Sequence, residues 1–167
     1  IPGNKRLSFL NFILPSGIFK LGAPYVPVVV VSTNKVLSRL SSLRDQSRFK
    51  VDKLLLAGGM ANTFLASKKI PVGASLYEPD LIQKANMILS LAKEKKCQII
   101  LPIDGVVSTS LKPGGMSYLR VNGTVKDDEM ILDIGPESIA LFKQHISECK
   151  TLLWNGPAGA FEITPYD

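Results

Sequence analysis

Short apolar runs alternate with amphipathic stretches along this chain. "VPVVVV" (26–31) carries β-branched residues at consecutive positions, as expected of a strand covered on both sides in a parallel sheet. Pro27 fits only among its first residues, where no ladder donor is missed. In "STNKVLSRLSSLRDQ", Val36, Leu40 and Leu43 recur at helical spacing, and Ser32 or Thr33 can cap the start. "KLLLA" (53–57) reads as a second strand, Gly58-Gly59 as a turn and "MANTFLAS" as the opening of a helix. "EPDLIQKANMILSLAKEKK" places Leu81, Ala85, Ile88, Leu89 and Ala92 on one helical face. "CQIILPID" reads as the next strand. "IGPESIALFKQHISECK" is a helix begun by Pro136, with Ile139, Phe142, Ile146 and Cys149 on a shared face. "TLLW" closes the series as another strand.

Strands alternating with helices predict an α/β fold: a three-layer, Rossmann-like parallel sheet with helices on both faces. Between 104 and 130 the alternation fails. Turn chemistry at Pro113-Gly114-Gly115 and Asn122-Gly123 predicts an excursion of short strands and loops there. Residues 21–167 read as one partial domain. Residues 1–20 stay unassigned, and the missing initiator methionine suggests a chain that starts inside a longer gene product.

Composition narrows the partners. A net charge of +6 favours anions, but there is no Lys/Arg block and no interleaving of aromatic with basic residues, so nucleic acid is not expected. "LSFLNFIL" loosely mimics a signal peptide, yet eight apolar residues ending at Pro15 are too few to span a bilayer, and no membrane partner is expected. Cys97 and Cys149 have no CxxC spacing and read as reduced packing residues, which suits an intracellular setting. His145, the single histidine, has no clustered Cys or Asp around it. It reads as a solvent-facing helical residue, and no metal site is expected.

Ligands of open parallel sheets bind beyond the carboxyl ends of the strands. Three such ends share a character here. The first carries Ser32-Thr33-Asn34, then Lys35 and Arg39 one helical turn apart. The second carries Gly58-Gly59 before a helix, whose free N–H groups favour an anion. The third is "LLWNGPAGAFE", a strand that breaks at Asn155-Gly156-Pro157 and ends on Glu162. Cations, a backbone approach site and a carboxylate suit phosphates, a base and a ribose respectively. Each feature also has a plain structural reading, as a solvated helix face or a turn, and neither GxxxxGK[ST] nor GxGxxG is present.

"VDKLLLAGGMANTFLAS", "IILPID", "MILDIGPESI" and "TLLWNGPAGAFEITPYD", in that order, resemble the C-terminal, nucleotide-binding domain of the phosphoglycerate kinase family, from about residue 21 to 167. The resemblance implies Mg²⁺-dependent phosphoryl transfer between 1,3-bisphosphoglycerate and ADP, giving 3-phosphoglycerate and ATP. It implies a usually monomeric, cytoplasmic glycolytic enzyme whose separate N-terminal domain holds the phosphoglycerate. By position, Lys35 matches a lysine on the nucleotide phosphates, and Arg39 the lysine that holds the transferring phosphoryl, a catalytic role. Gly58, Gly59, Ile131 and Leu132 match the adenine pocket. Asn155, Pro157 and Ala158 match the turn beside the nucleotide, and Glu162 the ribose-binding glutamate. Ser32-Thr33 replace a family glycine pair, Ala57 replaces a glycine, and Arg39 exchanges a point charge for a planar fork. The family's Gly-Gly-Gly-Asp-Thr loop, whose aspartate holds Mg²⁺, does not occur in these residues. The chain alone is therefore expected to be inactive; the alternative is a non-catalytic or degenerate nucleotide-binding fragment.

Overall fold

The computed structural model describes residues 26–31, 51–149, 152–164 and 166. In chain order the described elements are β1 (Val26–Val31), β2 (Val51–Leu56), α1 (Gly58–Ser67), a 3₁₀ turn at Pro79–Leu81, α2 (Ile82–Glu94), β3 (Gln98–Ile100), β4 (Asp104–Ser108), β5 (Tyr118–Val121), β6 (Met130–Ile134), α3 (Pro136–Ser147) and β7 (Leu152–Asn155). Residues 1–20 and the helix expected after β1, with Ser32, Thr33, Lys35 and Arg39, lie outside the described residues.

Among the described residues, four strands form a parallel sheet in the order β3-β2-β1-β7. The chain steps outward from β1 to β2 and β3, then returns to lay β7 on the other side of β1. The order thus reverses between β1 and β7, which opens a crevice at their carboxyl ends.

Period-two alternation along β2 divides the core. Leu54 and Leu56 face one way and pack with Met60, Ala61 and Phe64 of α1 and Ala85 of α2; Leu81, Ile88 and Leu89 flank them. Leu55 and Ala57 face the other way, onto Phe142 and Ile146 of α3, with Ile139 and Cys149 alongside. Helices therefore cover both faces, and the apolar stripes read from α2 and α3 are the ones that pack.

Three local expectations change. "CQIILPID" is not one strand: β3 stops at Ile100, and Asp104 opens β4 in a second sheet, which pairs antiparallel with β5 and β6. Pro102 has no N–H for a ladder, and the Asn122 amide donates to its carbonyl at 2.5 Å, fixing the corner. Gly58 and Gly59 are not a turn before the helix but its first residues, with Gly58 at φ +59° making the bend into it. His145 is half-buried on α3, not solvent-facing, and its Nδ1 is buried without a hydrogen-bond partner among the described residues.

Cys97 and Cys149 are free thiols that pack into different clusters, on opposite faces of the sheet. Burial, aided by Asp52, pushes the Cys97 thiol up to about 11, and burial raises Cys149 as well. Little thiolate is present near neutral pH. Iodoacetamide at pH 7.5, followed by mass spectrometry, should therefore label both far more slowly in the native protein than in urea.

The second sheet is tied by Arg120 of β5, which grips Glu129 through Nε–Oε2 and Nη2–Oε1 contacts of 3.0 and 2.7 Å. Glu129 is 2% exposed and also accepts the Lys126 N–H. The Arg120 hydrogen bond, with the Lys126 N–H and both positive charges behind it, holds the Glu129 carboxyl below its ordinary value. A lowered folded-state value means this stabilisation is complete above the ordinary glutamate range and disappears as pH falls through the folded value. Urea midpoints measured from pH 7 to pH 3 should drop for the wild type, and Glu129→Gln should remove that part of the slope.

Candidate functional site

Val31, Leu56 and Asn155 stand level across β1, β2 and β7, so three strands end in a row. Gly156 follows directly on β7, and Gly58 follows β2 after Ala57. Beside this row lies a hollow whose apolar lining is Gly58, Ala61 and Leu65 of α1, Pro102, Ile131, Leu132 and Ile134 of β6, and Ala158. Asn62, Asp104, Asn122 and Asp133 supply its polar atoms. Its volume is about 20 Å³, little more than one water occupies. A ring entering it must widen it or lie across its mouth.

Of the residues singled out from sequence, Gly58, Ile131, Leu132 and Ala158 meet at this hollow. Gly59, Asn155, Pro157 and Glu162 do not line it. Gly59 lies next along α1, Asn155 is the last residue of β7, and Glu162 is exposed in the turn that follows. Lys35 and Arg39 lie outside the described residues.

The walls are anchored by polar residues of α1. The Asn62 amide nitrogen donates to the Leu76 carbonyl at 3.0 Å, and Thr63 Oγ1 accepts the Glu78 N–H at 3.0 Å. These bonds draw the 75–78 segment onto α1. From there Ser75 Oγ accepts the Ile131 N–H at 2.8 Å, and the Ala74 N–H reaches the Glu129 carbonyl at 2.9 Å. One chain of hydrogen bonds thus links the α1 wall to the β6 wall.

The two helix N-termini near the hollow differ. At α3 the Asp104 carboxylate accepts the N–H groups of Glu137 and Ser138 at 3.1 and 2.7 Å. Ser138 Oγ accepts the N–H groups of Ile103 and Asp104 and lies 2.5 Å from Asp104 Oδ1. The carboxylate therefore caps α3 from another strand and satisfies its positive end. At α1 the capping position is Ala57, no side chain caps the first turn, and no acidic residue lies in it. Of the two, only α1 keeps its first-turn N–H groups and dipole for a ligand.

The turn after β7 is locked to β6. Trp154 Nε1 donates to the Gly156 carbonyl at 2.7 Å, and Gly156 takes φ +80°. The Ala160 N–H donates to the Leu132 carbonyl at 2.7 Å. At Gly159 an added Cβ would lie 2.4 Å from Asp133 Oδ1 and 2.6 Å from Asp133 Cβ. Glycine is required there because a neighbouring strand approaches so closely. Gly159→Ala should push the turn off β6 and weaken ligand binding at the hollow by roughly tenfold or more, the cost of about one lost hydrogen bond and its contacts. Titration calorimetry on the variant checks this.

Asn62, Asp104, Asp133 and Ser138 were not singled out from sequence. Their partners lie up to 35 residues away, as with Ile103 and Ser138. The one available signal was the polar pair Asn62-Thr63 inside an apolar helix opening.

The phosphoglycerate kinase family model matches residues 20–167. A phosphoglycerate kinase of Xanthobacter autotrophicus is 49% identical over 148 residues, which are 88% of this chain and 37% of the relative. One of Sinorhizobium medicae is 47% identical over the same length and coverage. Among solved structures, phosphoglycerate kinase from Coxiella burnetii aligns with a TM-score of 0.78 at 29% identity, over 97% of this chain and 40% of that one. The enzyme from Pyrococcus horikoshii, at 18% identity and a TM-score of 0.66, shows the fold alone. This chain spans about 37% of the length of the curated relatives it matches. It belongs to the phosphoglycerate kinase family.

Proposed function

We propose that residues 21–167 form part of the nucleotide-binding half of a phosphoglycerate kinase, acting in the cytoplasm on ADP and 1,3-bisphosphoglycerate. The observation that carries this reading is the hollow shared by Gly58, Ile131, Leu132 and Ala158 at the level strand ends. Its apolar lining suits the faces of an adenine, and Gly58 lets the ring approach the backbone. Glu162, exposed past the turn, takes the ribose hydroxyls, while Asn155 and Pro157 shape the path to them. Lys35 and Arg39 supply the positive charge for the phosphates.

In the reaction an oxygen of the ADP β-phosphate bonds to the acyl phosphorus as the acyl P–O bond breaks, leaving the carboxylate of 3-phosphoglycerate. The protein's part is to position and neutralise charge. Arg39 holds the transferring phosphoryl and Lys35 the nucleotide phosphates. Mg²⁺ neutralises phosphate charge when it is bound. The described residues bring together no group of three or more His, Cys, Asp or Glu side chains for a metal, so no step is assigned to it here. These residues alone are proposed to bind nucleotide without turnover.

A coupled assay of the protein as expressed from its gene should show ATP formation from ADP and 1,3-bisphosphoglycerate; absence of turnover refutes the kinase reading. If the Ser32-Thr33 replacement has left a non-catalytic binder, ADP still binds while turnover is absent. ADP at 100 times its dissociation constant should stabilise the fold by about 2.7 kcal/mol in a melting curve.

A further inference from the structure

Two described residues other than glycine take a positive φ, Lys69 at 62° and Lys96 at 57°. Each follows the end of a helix. After α1, the Ile70 N–H donates to the Leu65 carbonyl at 3.0 Å and the Lys69 N–H to the Ala66 carbonyl at 2.9 Å. After α2, the Cys97 N–H donates to the Ala92 carbonyl at 2.8 Å and the Lys96 N–H to the Lys93 carbonyl at 3.2 Å. Both helices thus close with the same left-handed motif, at a position where glycine is the unstrained residue. The sequence puts lysine there twice, and strained backbone of this kind is a pointer to function.

The two helix ends lie at one edge of the fold. α1 starts past the carboxyl end of β2 and runs back along it, with Phe64 packed in one cluster with Leu54 and Leu56. α2 shares that layer, and its end leads through Lys95 and Lys96 into the start of β3, which is parallel to β2. Lys68 and Lys69 therefore stand with Lys93, Lys95 and Lys96 at the amino-terminal edge of the sheet, away from the strand ends beside the hollow. All five are exposed. Glu94 reaches Lys95 at 3.3 Å, Glu148 is bound by Lys53, and Asp52 is half-buried. Lys68, Lys69, Lys93 and Lys96 have no ion-pair partner among the described residues. The negative ends of two helix dipoles favour the ammonium groups at this edge.

The make-up of the patch selects its partner. Lysine is a point charge on a flexible stem, without the planar fork that grips single phosphates. Neither helix end, 67–70 or 93–97, carries an arginine or an aromatic ring, so a nucleic-acid base finds nothing to stack on. Separate ammonium groups spread along an edge suit a broad anionic surface. We propose that this lysine edge docks the protein on an anionic phospholipid surface, with the strand ends beside the hollow turned away from it. The docking is peripheral and requires no spanning segment; among the described residues no helix is long and apolar enough to cross a membrane.

Flotation of the protein as expressed from its gene, with phosphatidylcholine vesicles with and without phosphatidylserine, tests this. The protein should float only with the phosphatidylserine vesicles, and added salt should release it. One lysine at such a surface is worth roughly fivefold in affinity, so Lys69→Gly combined with Lys96→Gly should weaken binding by on the order of twentyfold. Both exchanges put glycine where φ favours it, so the variant folds as the wild type does. Lys112→Gln combined with Lys126→Gln removes the same charge from the antiparallel-sheet segment and should leave binding within a few-fold. No flotation with phosphatidylserine vesicles, or equal flotation with both kinds, overturns the proposal. Full binding by the double glycine variant, or equal losses in the two double variants, also overturns it. So does binding of a single-stranded oligonucleotide in place of the vesicles.

Discussion

Phe64→Ala should lower the unfolding free energy by about 3–5 kcal/mol. Phe64 is fully buried on α1, between Leu54 and Leu56 of β2 and Ala85 of α2. Truncation removes most of a ring from the layer that holds both helices on this face. For a domain of this size the melting temperature should fall by on the order of 10 °C. The effect should extend to ligand binding, because Phe64 anchors the helix that carries Gly58, Ala61 and Asn62 to the hollow. Calorimetry and ADP titration on the same sample would show both losses. A melting temperature within 2 °C or so of wild type, on the scale in which one kcal/mol moves it by a few degrees, contradicts the packing described.

The second large effect belongs to Asp104, which joins β4 of the small antiparallel sheet to α3. Its carboxylate accepts two backbone N–H groups of the first turn of α3, and Ser138 Oγ lies within reach of it as well. Asp104→Ala strips the helix of its cap, which costs about 0.5–2 kcal/mol, and leaves the fully buried Ser138 region under-bonded, for a total of about 2–4 kcal/mol. Asp104→Asn keeps an acceptor but gives up the charge at the helix start, so its loss should be smaller. Gly135→Ala should resemble Asp104→Ala, since its Cβ would lie 2.2 Å from Asp104 Oδ2. Urea unfolding of the three variants gives the ranking directly.

The layers and their order of strands and helices were legible because burial on both faces writes long apolar runs, and burial on one face writes a helical stripe. Ala85, Ile88 and Leu89 on α2, and Phe142 and Ile146 on α3, are placed by that rule. The rule also caused the error at "CQIILPID". Two strands of different sheets meet end to end there, both apolar, and only Pro102 marks the corner.

The candidate site was legible where a turn or a family motif marked it: Gly58, Ile131, Leu132 and Ala158 do meet. Its supporting bonds were not, because each joins residues far apart in sequence. Gly159 shows the difference. In the sequence it is one more glycine in "GPAGAFE", and in the structure it is where the Asp133 carboxylate touches the backbone.

The central claim is that an adenine nucleotide binds at the hollow beside the level ends of β1, β2 and β7. Photolabelling with 2-azido-ADP, followed by peptide mapping, tests it most directly. The account predicts labelling confined to peptides containing 58–65, 131–134 or 156–162, and abolished by excess ADP. Labelling elsewhere on the protein, or labelling that ADP does not compete, contradicts it.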